Sequence, residues 1–226
     1  MKTIITLIIL GAVQLFAGDS NSDILLKNVV QRLDKINDYT ADILIKIDVD
    51  FLKIGDTEAN VYFKKPDKFK MEAKGFAMIP KASLSFSPIN FLQQDFLSVY
   101  IKSDTLDSMK ADVIKLIPVR EDSKIILATL WIDKAHSVVL KTEATTKDKG
   151  SFRIRYRYGT NIQYGLPDTT VVFFDISKSR MSHFSMGANK LKKRSTGSVK
   201  IIYSNYKINQ GLDDSVFVEE AEEELD

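Results

Sequence analysis

Phe152, Ile154, Tyr156 and Tyr158 alternate with Arg153, Arg155 and Arg157. Only extended backbone sends successive side chains to opposite faces, so a period of two with one apolar and one charged face reads as a half-buried β-strand. The same period recurs along the chain. Ala41, Ile43, Ile45, Ile47 and Val49 share one face while Lys46 and Asp48 take the other. After Gly55-Asp56, which supplies a turn, Ala59, Val61 and Phe63 alternate, and Phe69, Met71 and Ala73 follow against Lys68, Lys70, Glu72 and Lys74. Residues 125–133 (IILATLWID) and 138–142 form a hairpin pattern around Lys134-Ala135-His136, and residues 169–176 and 199–206 bring the count to at least eight strands. Strands in series, with no helical segments between them, exclude repeated β-α units. They predict a mainly β (α+β) fold: an unclosed antiparallel β-barrel or curved sheet.

The N-terminal part of the chain obeys a different period. Met1-Lys2 precede an almost wholly apolar run over residues 3–16, followed by small Ala17 and Gly18 and then polar residues. A charged start, an apolar stretch too short to span a bilayer comfortably and small residues after it describe a signal peptide over 1–17, cleaved after Ala17 or Gly18. The expected product is a periplasmic protein with one domain over 18–218 and an acidic tail, EEAEEELD, over 219–226. Within the domain, Ile24, Leu25, Leu26, Val29, Val30, Leu33 and Ile36 form a stripe at helical spacing, with Lys27, Gln31, Arg32 and Lys35 mostly opposite. Ser22 is the expected cap, Asp23 suits the first turn, and Asn37-Asp38 is the expected end.

Two segments interrupt the strand pattern. Residues 75–96 crowd Phe76, Met78, Phe91 and Phe96 among other apolar residues, and Pro80 and Pro88 forbid a long element. Ser87-Pro88 can start a short helix through Phe96. This segment reads either as an irregular or helical lid over a ligand cavity, or as core that fills a small barrel. Residues 178–200 carry seven cations, including Lys190, Lys192, Lys193 and Arg194, and no acid. They read either as a surface for anionic membrane or partner, or as a solvated hairpin loop.

Chemistry is sparse. The chain has no cysteine and two histidines, which leaves no disulfide, thiolate site, cysteine nucleophile or lipid-anchoring cysteine. His136 beside Asp133 and Ser137 lies in a turn, and His183 in the basic segment. The acid pairs Asp104/Asp107 and Asp213-Asp214 sit in turn-like sequence. No nucleophile elbow, phosphate loop, dinucleotide fingerprint or metal-ligand spacing is present. No enzyme, cofactor or metal is expected, and a net charge of +2 argues against nucleic acid.

Arg32-Leu33-Asp34-Lys35-Ile36 closes the helical stripe, Tyr39-Thr40-Ala41 opens a long strand, and Val61-Tyr62-Phe63-Lys64-Lys65-Pro66-Asp67-Lys68-Phe69 follows after a turn. This order resembles the periplasmic outer-membrane lipoprotein carriers, the LolA-type family. Leu130-Trp131-Ile132-Asp133, Gly197-Ser198-Val199-Lys200 and the stretch from Tyr206 to Phe217 extend the similarity. The resemblance implies an apolar concavity under a helical lid, lined by Leu33, Ile43, Ile45, Ile47, Val61, Phe63, Phe69 and Met71. Phe76, Met78, Phe91 and Phe96 join this lining from the irregular segment. It implies a monomer that carries lipoprotein acyl chains or another lipid between inner-membrane donor and outer-membrane acceptor proteins, with transient membrane contact. Lys65 stands where family members often carry an arginine that hydrogen-bonds the lid. Lysine lacks the planar fork, so the lid is expected to be looser or held in another way. The alternative reading is an envelope sensor or regulatory module on the same fold, without enzymatic activity.

Overall fold

The structure, a computed structural model, describes residues 20–49, 55–73, 92, 95–147, 150–177 and 194–218, with backbone alone for 175–177 and 194–196. The expected signal peptide, the acidic tail, Phe76, Met78, Phe91, Lys190, Lys192 and Lys193 lie outside the described residues.

One helix, α1 (Asn21–Leu33), precedes ten strands. They are β1 (Asp38–Val49), β2 (Thr57–Lys64), β3 (Lys68–Ala73), β4 (Phe96–Leu106) and β5 (Met109–Pro118), then β6 (Ile125–Asp133), β7 (Val138–Thr146), β8 (Gly150–Arg157), β9 (Thr169–Ser177) and β10 (Arg194–Ile208). All ten join one antiparallel sheet in the order β3-β2-β1-β10-β9-β8-β7-β6-β5-β4, left open between β3 and β4.

The alternation read from the sequence becomes an inner and an outer face. Ile43, Ile45, Val61, Phe63, Ile114, Leu116, Leu130, Ile132, Ile154, Val172 and Ile201 share a single core cluster with Leu25, Val29 and Leu33 of α1. The helix also shows that the sheet curls. Ten strands about 4.8 Å apart would place the edges roughly 40 Å from one another if flat. A helix of 13 residues, about 20 Å long, nonetheless reaches both sides. Asp23 in its first turn accepts a hydrogen bond from Ser98 Oγ of edge strand β4. Asp34 at its end accepts one from Lys65, between β2 and β3.

Several expectations are corrected. The cap is Ser20, not Ser22: Ser20 and Asp23 form a reciprocal capping box, while Ser22 is buried one turn inside. The helix stops at Leu33 with Asp34 as its C-cap, and Asp38 instead opens β1. Phe96 begins a strand, not the end of a short helix. Arg194 to Lys200 are β10, paired with β9, and not part of a loop. Asp104 lies on β4.

The β4–β5 hairpin is hidden in the sequence. Its turn is Asp107-Ser108, with φ of +49° and +69°, a mirror-image turn usually marked by Asn-Gly. A bulge between Tyr100 and Lys102 breaks the period on β4, and adjacent Val113 and Ile114 on β5 are both buried. Neither strand shows the clean alternation that betrays the others. Among the described residues, no helix is long and apolar enough to cross a membrane.

Candidate functional site

The inner face has two unlike halves. One is sealed beneath α1. Leu33, Ile43, Ile45, Val61 and Phe63 are all buried there, and Phe63 is only 2% exposed. Aromatic rings fill its floor: Tyr39 stacks on Phe63 at 5.3 Å and meets Tyr206 edge-on at 5.7 Å, and Tyr203 stacks on Tyr206 at 5.9 Å. Their hydroxyls are used internally, with Tyr206 donating to Pro167 O at 2.9 Å and Tyr158 to Val139 O at 2.7 Å. Burial pushes Tyr203 up to about 12 and raises Tyr39, Tyr156, Tyr158 and Tyr206 as well. These phenols are therefore neutral donors at physiological pH, which suits an apolar floor.

The helix is fastened over this half at both ends. At its start, the Ser98 and Ser20 hydroxyls hold the Asp23 carboxyl below the usual range. At its end, Lys65 Nζ donates to the Asp34 carbonyl at 2.7 Å and lies 3.2 Å from Asp34 Oδ1, placing a cation on free helix carbonyls. Lys65 thus ties the turn between β2 and β3 to the end of α1 through a single ammonium. Arg32 Nη1 adds bonds to Ile162 O at 3.3 Å and Gln163 O at 3.0 Å, on a 3-10 turn over Ile162–Tyr164. Gly165 ends that turn with φ +70°, and a Cβ there would stand 3.1 Å from Leu33 Cδ2. Only glycine lets this turn approach the helix so closely.

A second fastening holds the start of β1. Buried Asp38 accepts from Gln210 N at 2.9 Å and Gly211 N at 3.0 Å, and Asn209 bonds Asn37 N at 2.7 Å and Lys35 O at 2.8 Å. Lys64 and Lys68 both reach Asp214, whose carboxyl they hold down to about 2.

The other half is less fully buried among the described residues. Ile47, Phe69, Met71, Phe96, Phe152, Phe174 and Val199 are partly buried against the same cluster. Ile47, Phe96, Phe152, Phe174 and Val199 sit towards the mouth, the end of the sheet where β1 and β9 finish and β4, β8 and β10 begin, whereas Phe69 and Met71 lie on edge strand β3 opposite Phe63 and Val61. Ile47 stands opposite Val199, and Phe152 opposite Phe174. Phe174 also faces Gly197, where the lack of a side chain leaves room between Phe174 and Val49. A depression of about 570 Å³ lies instead on the outer face of the sheet, lined mainly by the register row Lys115, Thr129, Glu143, Arg153 and Phe173.

The expected lining is thereby divided. Leu33, Ile43, Ile45, Val61 and Phe63 belong to the sealed half, Ile47 and Phe96 to the mouth, and Phe69 and Met71 to edge strand β3 beside the sealed half. From sequence, Phe152 and Val199 stand out as strand and motif positions and not as lining, and Phe174 only within its strand. Their period-two positions carry the face but not the end of the strand that faces the opening.

The polar chemistry lies elsewhere. His136 Nδ1 is 2.6 Å from Asp133 Oδ2, and Asp133 also accepts from Ala135 N at 2.8 Å, so the pair braces the β6–β7 turn. A polar depression of about 870 Å³ nearby is lined by Asp104, Asp112, Asp133, Lys110 and Lys134. Among the described residues no group of three or more histidine or acidic side chains is placed to hold a metal ion.

No family model matches the sequence, and no curated protein matches it. Solved structures do match the fold. A LolA superfamily protein from Nitrosomonas europaea aligns with a TM-score of 0.58 at 15% identity, over 86% of this chain and 97% of its own. A DUF1329 family protein from Desulfovibrio piger gives a TM-score of 0.55 at 12% identity, over 87% and 97%. A candidate outer membrane lipoprotein-sorting protein domain from Vibrio parahaemolyticus gives 0.51 at 13% identity, again over 87% and 97%. The chain has a divergent LolA-like fold.

Proposed function

We propose that this protein is a periplasmic carrier that shields the acyl chains of lipoproteins or other lipids on its inner face and shuttles them towards the outer membrane. The observation that carries this reading is the partly buried apolar border around Ile47, Phe96, Phe152, Phe174 and Val199, continuous with a sealed core to which a helix is fastened at both ends. The LolA-like fold supports it, as does the signal-peptide pattern of residues 1–17.

The physical requirement is simple. Each methylene kept from water is worth about 0.8 kcal/mol, so one long acyl chain left exposed costs on the order of 10 kcal/mol. A shuttle must cover that surface without holding it irreversibly. The sealed half keeps the sheet curled whether or not cargo is present. Ile47, Phe69, Met71, Phe96, Phe152 and Phe174 then offer apolar area that cargo can cover. Candidate cargo contacts in the sealed half, such as Leu33 and Phe63, become available only if α1 lifts, and Lys65 and Ser98 are the groups that release it.

Native mass spectrometry of protein purified from the cell envelope tests the reading. Acyl-bearing cargo should accompany the chain and be lost in a Met71→Asp/Phe174→Asp variant that remains folded. A protein that arrives empty and binds no added acylated peptide would overturn it.

A further inference from the structure

The outer face of the sheet is charged unequally. On β1 to β3 the charges are matched: Lys46 pairs with Asp56, Lys70 with Glu72, Lys64 and Lys68 with Asp214, and Asp42 accepts from Asn60 and Asn205. From β7 to β10 they are not. Ala144, Ile154, Val172 and Ile201 point into the core, which leaves Lys141, Arg153, Arg155, Arg157 and Lys200 on the outward positions against Glu143 and Asp175. Lys141 takes Glu143 at 2.7 Å, and Arg155 lies 3.6 Å from Asp107 of the β4–β5 turn. Among the described residues no acid pairs with Arg153, Arg157, Lys200 or, further along the same face, Lys115. Two of the cations are laid over aromatic rings: Lys141 Nζ is 3.9 Å from the centre of Trp131, and Arg153 Cζ 4.6 Å from that of Phe173. Lys200 stands directly across from Lys46, and like charges so placed cost stability. Positive charge that the fold does not use points to an anionic partner.

We infer that the outer face of β7 to β10 docks the protein on a bilayer surface that bears anionic lipid. Two observations favour a bilayer over an acidic protein. A protein interface is anchored by apolar and aromatic side chains, and none of the exposed large hydrophobic residues of the described chain lies on these strands. The cations are also spread over the face. Successive arginines on β8 are about 6.8 Å apart, and Lys200 is two strands, about 10 Å, from Arg155. Mobile headgroups can move to each of them, whereas a folded partner must present carboxylates at matching points. The depression between Lys115 and Arg153, with Thr129 in the same row, offers one headgroup a polar lining. Each cation near an anionic surface adds modestly to binding, and salt screens the contact, so docking is weak and reversible, as a shuttle requires. The inference gives the carrier reading a docking face, but it concerns empty protein and stands or falls apart from cargo.

Co-sedimentation with lipid vesicles tests it on protein purified after export and freed of lipid. The protein should partition onto phosphatidylcholine vesicles that contain one third phosphatidylglycerol, but not onto phosphatidylcholine alone, and should be released at about 0.5 M salt. Arg153→Gln/Arg157→Gln/Lys200→Gln should weaken partitioning about tenfold or more. Lys27→Gln/Lys35→Gln/Lys70→Gln removes the same charge from the helix side and the β3 edge and should leave partitioning nearly unchanged, with melting curves confirming the fold of both variants. Absence of partitioning at low salt overturns the docking face. So do equal losses in the two triple variants, or full binding by the Arg153/Arg157/Lys200 variant. Capture of polyglutamate without capture of the vesicles overturns it in favour of an acidic protein.

Discussion

The sealed half and the mouth of the inner face are built from the same kinds of residue on the same strands, yet one is packed and the other is not. Ile45 is 1% exposed, while Ile47, the next inward residue on β1, is only partly buried. The strand does not change between them. What changes is the packing: Ile45 belongs to the core cluster shared with α1, and Ile47 lies at its border. Burial on a sheet face is decided by the covering layer, so identical alternation can make a core or a binding surface.

Five substitutions, with one rescue, can break or sharpen that division. The largest effect is expected from Phe63→Ala, which opens a cavity under Tyr39 and should cost about 3–5 kcal/mol. Ile47→Ala at the mouth should cost about 1 kcal/mol. Urea denaturation of the two variants gives the comparison directly, and equal losses would mean that the mouth is core. Next comes Gly165→Ala, which forces a side chain into a left-handed conformation against Leu33 and should cost about 1–3 kcal/mol. Its signature in hydrogen exchange is faster exchange across α1, with the β9–β10 ladder unchanged.

Lys65→Ala should move global stability by less than about 1 kcal/mol, since its ion pair with Asp34 is partly exposed. It should nevertheless speed exchange in the last turn of α1, and Lys65→Arg should restore it. The smallest effect concerns acid. Ser98 and Ser20 depress the Asp23 carboxyl, so its contribution is full above the ordinary value of 3.8 and is lost as pH falls through the lowered one. Ser98→Ala should flatten the acid side of the profile when helix fraying is followed against pH. An unchanged acid limb would mean that the tie to β4 does not fasten the helix.

The legibility of the molecule from its sequence follows the same line. The strand at Phe152–Tyr158 was readable because charge and apolarity alternate cleanly, and β1 and β2 for the same reason. The β4–β5 hairpin was not. Its turn lacks the usual glycine, its bulge disrupts the period, and Leu97 and Val99 are apolar residues on an outer face. The cap was misplaced by two residues because Ser20 and Ser22 are equivalent by type, and only geometry shows which one meets the free N–H of Asp23. Lys65 was found through its place before Pro66, but its partner, the Asp34 carbonyl, is a backbone atom that no residue type advertises.

The sequence by itself determined the strands that alternate cleanly, the single N-terminal helix, and which side chains of those strands point inward, because these are set over a few residues by the period of the backbone. Tertiary structure decided where the helix lies, and therefore which inward residues are sealed and which face the mouth. Those outcomes depend on contacts far apart in the chain, Ser98 with Asp23 and Arg32 with Ile162 and Gln163. Local periodicity carries no information about which end of a strand another element will cover.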